Sequence, residues 1–113
     1  MKPTLDKVGA SKFLRTVPKN EGLGLYKTQG EFTGKTVTSF STLFVALRSV
    51  DIRAINYHFK RRDFEKWIRG TTGDEELAHR SGRLDRELHG EKPRSSMAML
   101  VNTRLDELKA AMA

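Results

Sequence analysis

Apolar residues recur at helical spacing through the last two-thirds of the chain, and this pattern constrains the fold more than any other feature. The clearest early stripe, at positions i, i+3, i+4 and i+7, consists of Phe40, Leu43, Phe44 and Leu47. Such spacing places the four side chains on one face of a helix. Thr38 or Ser39 is its predicted N-cap, because a hydroxyl there can accept a hydrogen bond from an amide of the first turn.

Four more helical segments are predicted downstream, and aspartates mark the start of three of them. Asp51, Asp63 and Asp74 are predicted N-caps of helices that carry the following apolar groups. These groups are Ile52, Ile55 and Phe59; then Phe64, Trp67 and Ile68, up to Gly70; then Leu77, Leu84 and Leu88, despite Gly82. The last helix begins near residues 93–96, and its stripe consists of Met97, Leu100, Val101, Leu105, Leu108 and Met112.

The first 33 residues lack such stripes. Residues 1–22 are predicted to form an irregular basic N-terminal arm, with a short helical turn around residues 11–15. Weak alternation over residues 23–28 and 31–33 predicts two short strands joined by a turn at Gln29 and Gly30. At 113 residues the chain has the length of one domain. We therefore predict that residues 23–113 form a single, mainly α domain: a compact bundle of four to five short helices, with at most a small two-stranded β element near the N-terminus.

Composition excludes several classes of protein. The chain contains no cysteine, which rules out disulfides, cysteine-based zinc sites and thiol catalysis. No apolar run approaches the roughly 20 residues that a bilayer-spanning helix requires. The first seven residues also lack the apolar stretch of a signal peptide. We expect a cytoplasmic protein that does not bind membranes.

Positive charge is concentrated in the first two-thirds of the chain. Residues 1–35 and residues 36–70 each carry seven Lys and Arg against three acids, whereas residues 71–113 carry seven against eight. This asymmetry, within a net charge of +7, indicates a polyanion or an acidic protein as the partner. A basic surface that only aids solubility is the alternative.

Three patterns resemble parts of catalytic or cofactor sites, and each is incomplete. The segment 30–36 ends like a phosphate-binding loop but has one residue too few between its glycines. Glu76 and His79 have a metal-site spacing without the second copy that such sites need. His58 and Asp63 could pair, but no nucleophile or oxyanion hole accompanies them, so a hydrogen-bonding role at a helix junction is preferred. We predict a protein that is not an enzyme and binds no metal or cofactor.

The strongest functional pattern lies between residues 53 and 69. Helical geometry of about 100° per residue puts several basic side chains opposite the apolar face of residues 52–59. We name the resulting set the basic ridge: Arg53, Tyr57, Lys60, Arg61, Arg62, Lys66 and Arg69. Cations of this kind neutralise phosphates and release counterions, while the tyrosine can stack or donate a hydrogen bond. Lys27 and Lys35 would extend the ridge.

The basic ridge predicts a non-enzymatic accessory protein that binds nucleic acid or a ribonucleoprotein. The alternative is a regulatory adapter that docks on an acidic protein or an enzyme assembly, with the stripe of residues 97–112 facing a partner helix. The first prediction requires that the cations are not neutralised by the chain's own carboxylates, of which Asp74, Glu75 and Glu87 are candidates. Trp67 is predicted to belong to the core.

Residues 30–108 resemble a family of small archaeal and bacterial proteins, the domain-of-unknown-function family numbered 5752. The likeness rests on Gly-Glu-Phe-Thr-Gly at 30–34, Ser-Phe-Ser-Thr-Leu at 39–43 and Arg-Leu-Asp-Glu-Leu at 104–108. Its most specific part is the block from His58 to Ile68, with Asp63, Phe64 and Trp67 inside it. The resemblance implies a compact helical domain. It implies no activity, because the family has none assigned.

Overall fold

The computed structural model describes residues 5–113, and this part of the chain contains six α-helices and one two-stranded antiparallel sheet. In chain order the elements are α1 (Lys7–Leu14), β1 (Leu23–Tyr26), β2 (Phe32–Val37), α2 (Phe40–Ser49), α3 (Ile52–Lys60), α4 (Asp63–Trp67), a π-helical turn (Ile68–Thr72), α5 (Glu75–Gly82) and α6 (Lys92–Met112). The mainly α class and the small sheet near the N-terminus are confirmed. The helices are six in the described part, against a prediction of four to five.

The additional helix, α1, lies in the segment that the sequence predicts to be an irregular arm. The Asp6 side chain caps it by accepting a hydrogen bond of 2.7 Å from the Gly9 amide. Ala10 is fully buried, and Arg15 donates to the carbonyls of Thr71 and Thr72 at 2.8 and 3.3 Å. The prediction of an irregular arm is therefore wrong for α1, which packs as part of the domain; residues 1–4 lie outside the described residues. Sequence reasoning predicted only a helical turn around residues 11–15 in this segment, because one buried alanine produces no apolar stripe.

The sheet is a hairpin in which Leu23 pairs with Val37 and Tyr26 pairs with Phe32. Leu25 and Val37 are buried at 1% exposure, whereas Tyr26 and Phe32 face outward. Strand β2 continues to residue 37, beyond the predicted end at residue 33. Most of the segment 30–36, which ends like a phosphate-binding loop in sequence, is therefore a strand.

Helix α6 forms the centre of the core and packs against α2. Met97, Val101 and Leu108, all from the predicted stripe, are fully buried. Ser39 caps α2 in a reciprocal arrangement with Thr42, as the sequence predicts for that position. The stripe of α6 thus packs against the protein's own helices.

A sharp turn separates α3 from α4. Arg62 adopts a left-handed conformation with φ of 62°, which redirects the chain after α3. Asp63 does not cap α4, contrary to the prediction, because its carboxylate binds His58 and Arg61 instead. The helical path continues beyond Gly70 as the π-helical turn and ends at Gly73, where φ is 82°.

Helix α5 is capped by Asp74, as predicted, but it ends at Gly82 and does not continue to residue 88. The end has a packing reason. A Cβ at Gly82 would lie 3.1 Å from the carboxylate of Glu65, so glycine allows α4 to approach closely. Leu84 and Leu88 lie half-buried in the following turn region.

Within residues 5–113 no helix combines the length and apolar character that crossing a bilayer requires. Helix α6 is long enough, but charged and polar residues interrupt its apolar stripe.

Candidate nucleic-acid interface

Helix α3 separates apolar from basic side chains as the sequence predicts. Ile55 and Phe59 are buried at 1% exposure, whereas Arg53 and Lys60 are exposed. Tyr57 is half-buried, and the Arg61 guanidinium lies 5.2 Å from the centre of its ring, a cation–π distance. The α3 part of the basic ridge is therefore one continuous outward face.

Two arginines of the ridge, Arg53 within α3 and Arg61 at its end, bind nearby carboxylates. Arg53 contacts Asp51 through two hydrogen bonds of 2.9 and 3.1 Å, and Arg61 contacts Asp63 at 3.1 Å. The hydrogen bonds from Arg53 hold the pKa of Asp51 far below its usual range. The guanidinium side chains remain 62% and 58% exposed, so water and solutes reach them despite these contacts.

The remaining arginines of the ridge converge on one carboxylate. Glu65 accepts hydrogen bonds from Arg62 at 3.1 Å, Arg69 at 3.0 Å and Arg86 at 3.3 Å. Burial alone would raise the pKa of Glu65, but the hydrogen bonds from Arg69 and Arg62 outweigh it and lower the pKa. Arg69 also contacts Glu75 at 3.0 Å. Three guanidinium groups, two of them from the ridge, thus meet two carboxylates, which leaves this cluster positively charged.

The two lysines of the ridge have no carboxylate partner within residues 5–113. Lys60 and Lys66 are both exposed, one at the end of α3 and the other on α4. Lys66 lies in sequence between Arg62 and Arg69, the two arginines of the ridge that bind Glu65.

The prediction of nucleic-acid binding required ridge cations that the chain's own carboxylates do not neutralise, and the structure meets this condition only in part. Of the acids named from the sequence, Glu75 pairs with the ridge, whereas Asp74 binds Arg104 in the core. Asp51, Asp63 and Glu65, which sequence reasoning did not consider as partners, supply the other contacts. Exposed ion pairs are worth only about 0–1 kcal/mol, so they are weak competitors for an incoming phosphate.

His58 joins the hairpin to the α3–α4 turn. Its Nε2 accepts a hydrogen bond of 2.8 Å from the Tyr26 backbone amide, and its Nδ1 lies 2.8 Å from an Asp63 carboxylate oxygen. Because Nε2 accepts a hydrogen bond, it carries no proton. The ring proton is therefore on Nδ1, which donates a hydrogen bond to Asp63. The ring is 3% exposed. The preferred sequence interpretation, a hydrogen-bonding role at a junction, matches this geometry.

A cleft of about 430 Å³ opens between the hairpin and the α3–α4 turn, next to the ridge. We call it the aromatic cleft; its lining residues are Gly24, Tyr26, Gln29, Gly30, Tyr57, His58, Arg61 and Asp63. Tyr26 is 36% exposed, and the ring of Phe32, 49% exposed, lies 5.2 Å from it on the same hairpin face. Exposed aromatic rings therefore adjoin the cations.

Sequence reasoning missed the hairpin's contribution to this surface. It considered Lys27 and Lys35 as extensions of the ridge but not Tyr26, Gln29 or Phe32. Lys27 pairs with Glu31 at 3.4 Å, and Lys35 is exposed without an ion pair in the described part of the chain. The alternation around Leu25 would have indicated that Tyr26 faces outward, but it could not show which helix lies beside it.

No known protein family, curated protein or solved structure matches this chain. The resemblance to family 5752 therefore stays a prediction. The structure gives its most specific block, residues 58–68, a physical role. His58 and Asp63 tie the α3–α4 turn to the hairpin, Phe64 and Ile68 fill the core, and the Trp67 ring nitrogen donates to the Glu21 carbonyl at 2.9 Å. Trp67 is 7% exposed and belongs to the core, as predicted.

A larger cavity of about 860 Å³ lies between α1, α5 and α6. Its two arginines are engaged by the protein itself, Arg104 by Asp74 and Arg80 by Glu76. With its cations paired and more carboxylates than guanidiniums in its lining, this cavity is a poorer site for a polyanion than the ridge.

Proposed function

We propose that this protein is a non-enzymatic accessory protein that binds nucleic acid, alone or within a ribonucleoprotein, through the basic ridge. The observation that carries the proposal is the arrangement around Glu65. Lys60 and Lys66, exposed and without carboxylate partners in residues 5–113, accompany Arg62 and Arg69, which share Glu65. Such a surface offers several cations to one polymer.

The physical basis is counterion release. Each Lys or Arg that neutralises a phosphate frees a condensed counterion, which makes affinity fall steeply as salt rises. Arg62 and Arg69 are 48% and 41% exposed, so their guanidinium groups can exchange part of their contact with Glu65 for a phosphate oxygen. We place the contacts to phosphate on all six cations of the ridge, with Tyr57 as a stacking or hydrogen-bonding neighbour.

A binding role without catalysis has support from His58. Both of its ring nitrogens are engaged, so it could not accept a proton from a substrate without releasing the Tyr26 amide. A cytoplasmic location, which we propose from the cysteine-free sequence, suits a partner of this class.

The sharpest test removes the two lysines whose ammonium groups form no ion pair or hydrogen bond within residues 5–113. We expect the double variant Lys60→Gln, Lys66→Gln to bind RNA and DNA more weakly across sequences. The slope of log affinity against log salt should fall by about 1 for each phosphate contact removed. The matched control is Lys92→Gln, Lys109→Gln, which changes the charge equally at exposed positions at the two ends of α6.

Fluorescence anisotropy with labelled oligonucleotides at several salt concentrations measures both quantities. Equal affinities and slopes for the two double variants would refute the ridge as the binding surface, because net charge alone would then explain the binding.

A regulatory adapter that docks on an acidic protein is the second candidate, and one observation favours it. A groove between α2 and α6 is lined by Phe44, Ala98 and Met99 and bordered by Arg48, and the side chains of Met99 and nearby Val45 are 70% and 62% exposed. Native purification separates the candidates: co-purifying nucleic acid that nuclease removes favours the ridge, and a stoichiometric protein companion favours the adapter.

A further inference from the structure

We propose that the aromatic cleft receives an unstacked base of a single-stranded nucleic acid. This inference rests on the proposed function and specifies its ligand: the basic ridge contacts the phosphates, and the cleft holds a base. Single-stranded RNA and single-stranded DNA both offer this combination of phosphates and an unpaired base, and the experiment below distinguishes between them.

The first wall of the cleft is formed by Tyr26 of the hairpin, and the neighbouring ring of Phe32 extends this wall into an aromatic platform beyond the cleft. The rings of Tyr26 and Phe32 lie 5.2 Å apart and tilted by 45°, and both are substantially exposed. Gly24 makes this possible, because a Cβ there would lie 3.3 Å from the Tyr26 ring and 3.6 Å from the Phe32 ring. Aromatic side chains left in water beside cations are the feature on which proteins stack unpaired bases.

The second wall comes from helix α3 and the following turn. Tyr57 lies edge-on to the His58 ring at 5.0 Å, and the Arg61 guanidinium covers the Tyr57 ring. A base that enters between Tyr26 and Tyr57 would therefore meet π surfaces from two elements. The cleft volume of about 430 Å³ falls within the range of about 300–1,000 Å³ that is usual for small-molecule sites.

Polar groups in the cleft are available for the edge of a base. The Asp63 oxygen Oδ2 accepts from both His58 and Arg61, while Oδ1 has no hydrogen bond within residues 5–113. The exposed Gln29 amide and the Tyr57 hydroxyl also have no partner in that range. A carboxylate oxygen, an amide and a hydroxyl provide both donors and acceptors, which is what recognition of a base edge requires.

A cation of the ridge is placed for a phosphate next to the bound base. Arg61 lines the cleft, lies at the turn that ends α3 and is followed in sequence by Arg62 of the ridge. A chain whose base enters the cleft would thus meet the cations of the ridge beside that base.

This arrangement favours single strands over duplexes, because a base that enters the cleft must first leave its helical stack. The test measures anisotropy with a labelled single-stranded oligonucleotide, as RNA and as DNA, and with the duplex of the same sequence. We expect Tyr26→Ser, Phe32→Ser to weaken single-strand binding at least about fivefold and to leave duplex binding unchanged. The control Val45→Ser, Met99→Ser removes exposed apolar groups elsewhere.

A second measurement uses the unmodified protein and so does not depend on a variant's folding. On titration with a tetranucleotide, the ring-proton NMR signals of Tyr26, Phe32 and Tyr57 should move upfield, as stacking on a base requires. The RNA and DNA arms show which sugar is preferred.

The two proposals fail in different ways. If ring signals stay unmoved and Tyr26→Ser, Phe32→Ser binds single strands like the control, the cleft inference is overturned while the ridge proposal stands. If Lys60→Gln, Lys66→Gln binds like its own control while the ring signals shift, the ridge is overturned and the cleft stands. Absence of binding to every polymer overturns both.

Discussion

Replacing His58 by leucine tests the junction that shapes the aromatic cleft. Leucine is similar in size to histidine and fills the position of His58, which is 3% exposed, but it lacks both hydrogen-bonding ring nitrogens. The Tyr26 amide then loses its acceptor at 2.8 Å, and Asp63 loses a donor at 2.8 Å. The perturbation therefore removes two hydrogen bonds and little packing.

The two losses differ in cost. Asp63 keeps Arg61 as a partner and stays 18% exposed, so water can replace the donor that it loses. The Tyr26 amide points at the buried ring and has no such replacement. Leaving one such donor unsatisfied costs about 1–3 kcal/mol, and we expect the free energy of unfolding to fall by that amount.

Urea unfolding, followed by the fluorescence of Trp67 and by circular dichroism, measures this loss. The slope against urea should be unchanged, since the surface exposed on unfolding is the same. Hydrogen exchange gives a local readout: the Tyr26 amide should exchange faster in His58→Leu, while amides in α6 keep their relative protection.

The matched control is His89→Leu, because His89 is exposed and its ring forms one hydrogen bond within residues 5–113, to the nearby Glu87 carbonyl. We expect that variant to stay within about 0.5 kcal/mol of the unmodified protein. Asp63→Asn should lie between the two, since an amide oxygen can still accept from Nδ1. If His58→Leu is as stable as His89→Leu, the reasoning that His58 joins hairpin and helices is refuted.

Two further predictions concern ion pairs. Because the pKa of Glu65 is lowered from 4.5 in the folded protein, the stability that it contributes is fully present above that pH and is lost as the pH falls through the lowered pKa. On going from neutral to acidic pH, the urea midpoint should therefore fall less for Glu65→Gln than for the unmodified protein or for the control Glu87→Gln. An equal fall in all three proteins would contradict a stabilising role for the arginine contacts of Glu65. Asp74→Ala should cost about 3 kcal/mol, because it removes the cap of α5 and two hydrogen bonds to the Arg104 guanidinium, which is 8% exposed and keeps only Glu107 as a carboxylate partner within residues 5–113. Asp51→Ala likewise removes a helix cap and a contact with an arginine, but at an exposed site. Its urea midpoint should therefore stay much closer to that of the unmodified protein. A loss of stability as large as that of Asp74→Ala would refute the role of burial.

The helical architecture was predictable from local patterns, because apolar spacing and capping residues act within one or two turns. Ser39, Asp51 and Asp74 cap helices as predicted, and α6 buries four of the six residues of its predicted stripe, with Leu100 half-buried and Met112 exposed. Errors arose where a contact with a neighbouring helix decides the local structure. Helix α5 stops where Gly82 meets Glu65, and Asp63 serves His58 instead of a helix N-terminus.

The candidate site divides in the same way. Sequence determined that residues 53–69 carry an outward basic face, since helical periodicity alone fixes which side chains oppose Ile55 and Phe59. Only the tertiary structure decided which of those cations meet a carboxylate, because Glu75 approaches Arg69 from another helix.

The aromatic cleft likewise exists only in three dimensions. The residues Tyr26 and Tyr57 are far apart in sequence, and the bond between the Tyr26 amide and His58 brings hairpin and helix together. Periodicity specifies the face of an element on which a residue lies, but the neighbour of that face depends on how the whole chain packs. The sequence by itself therefore determined the helices and the charge of the ridge, and the packing of the hairpin against α3 decided what lies beside it.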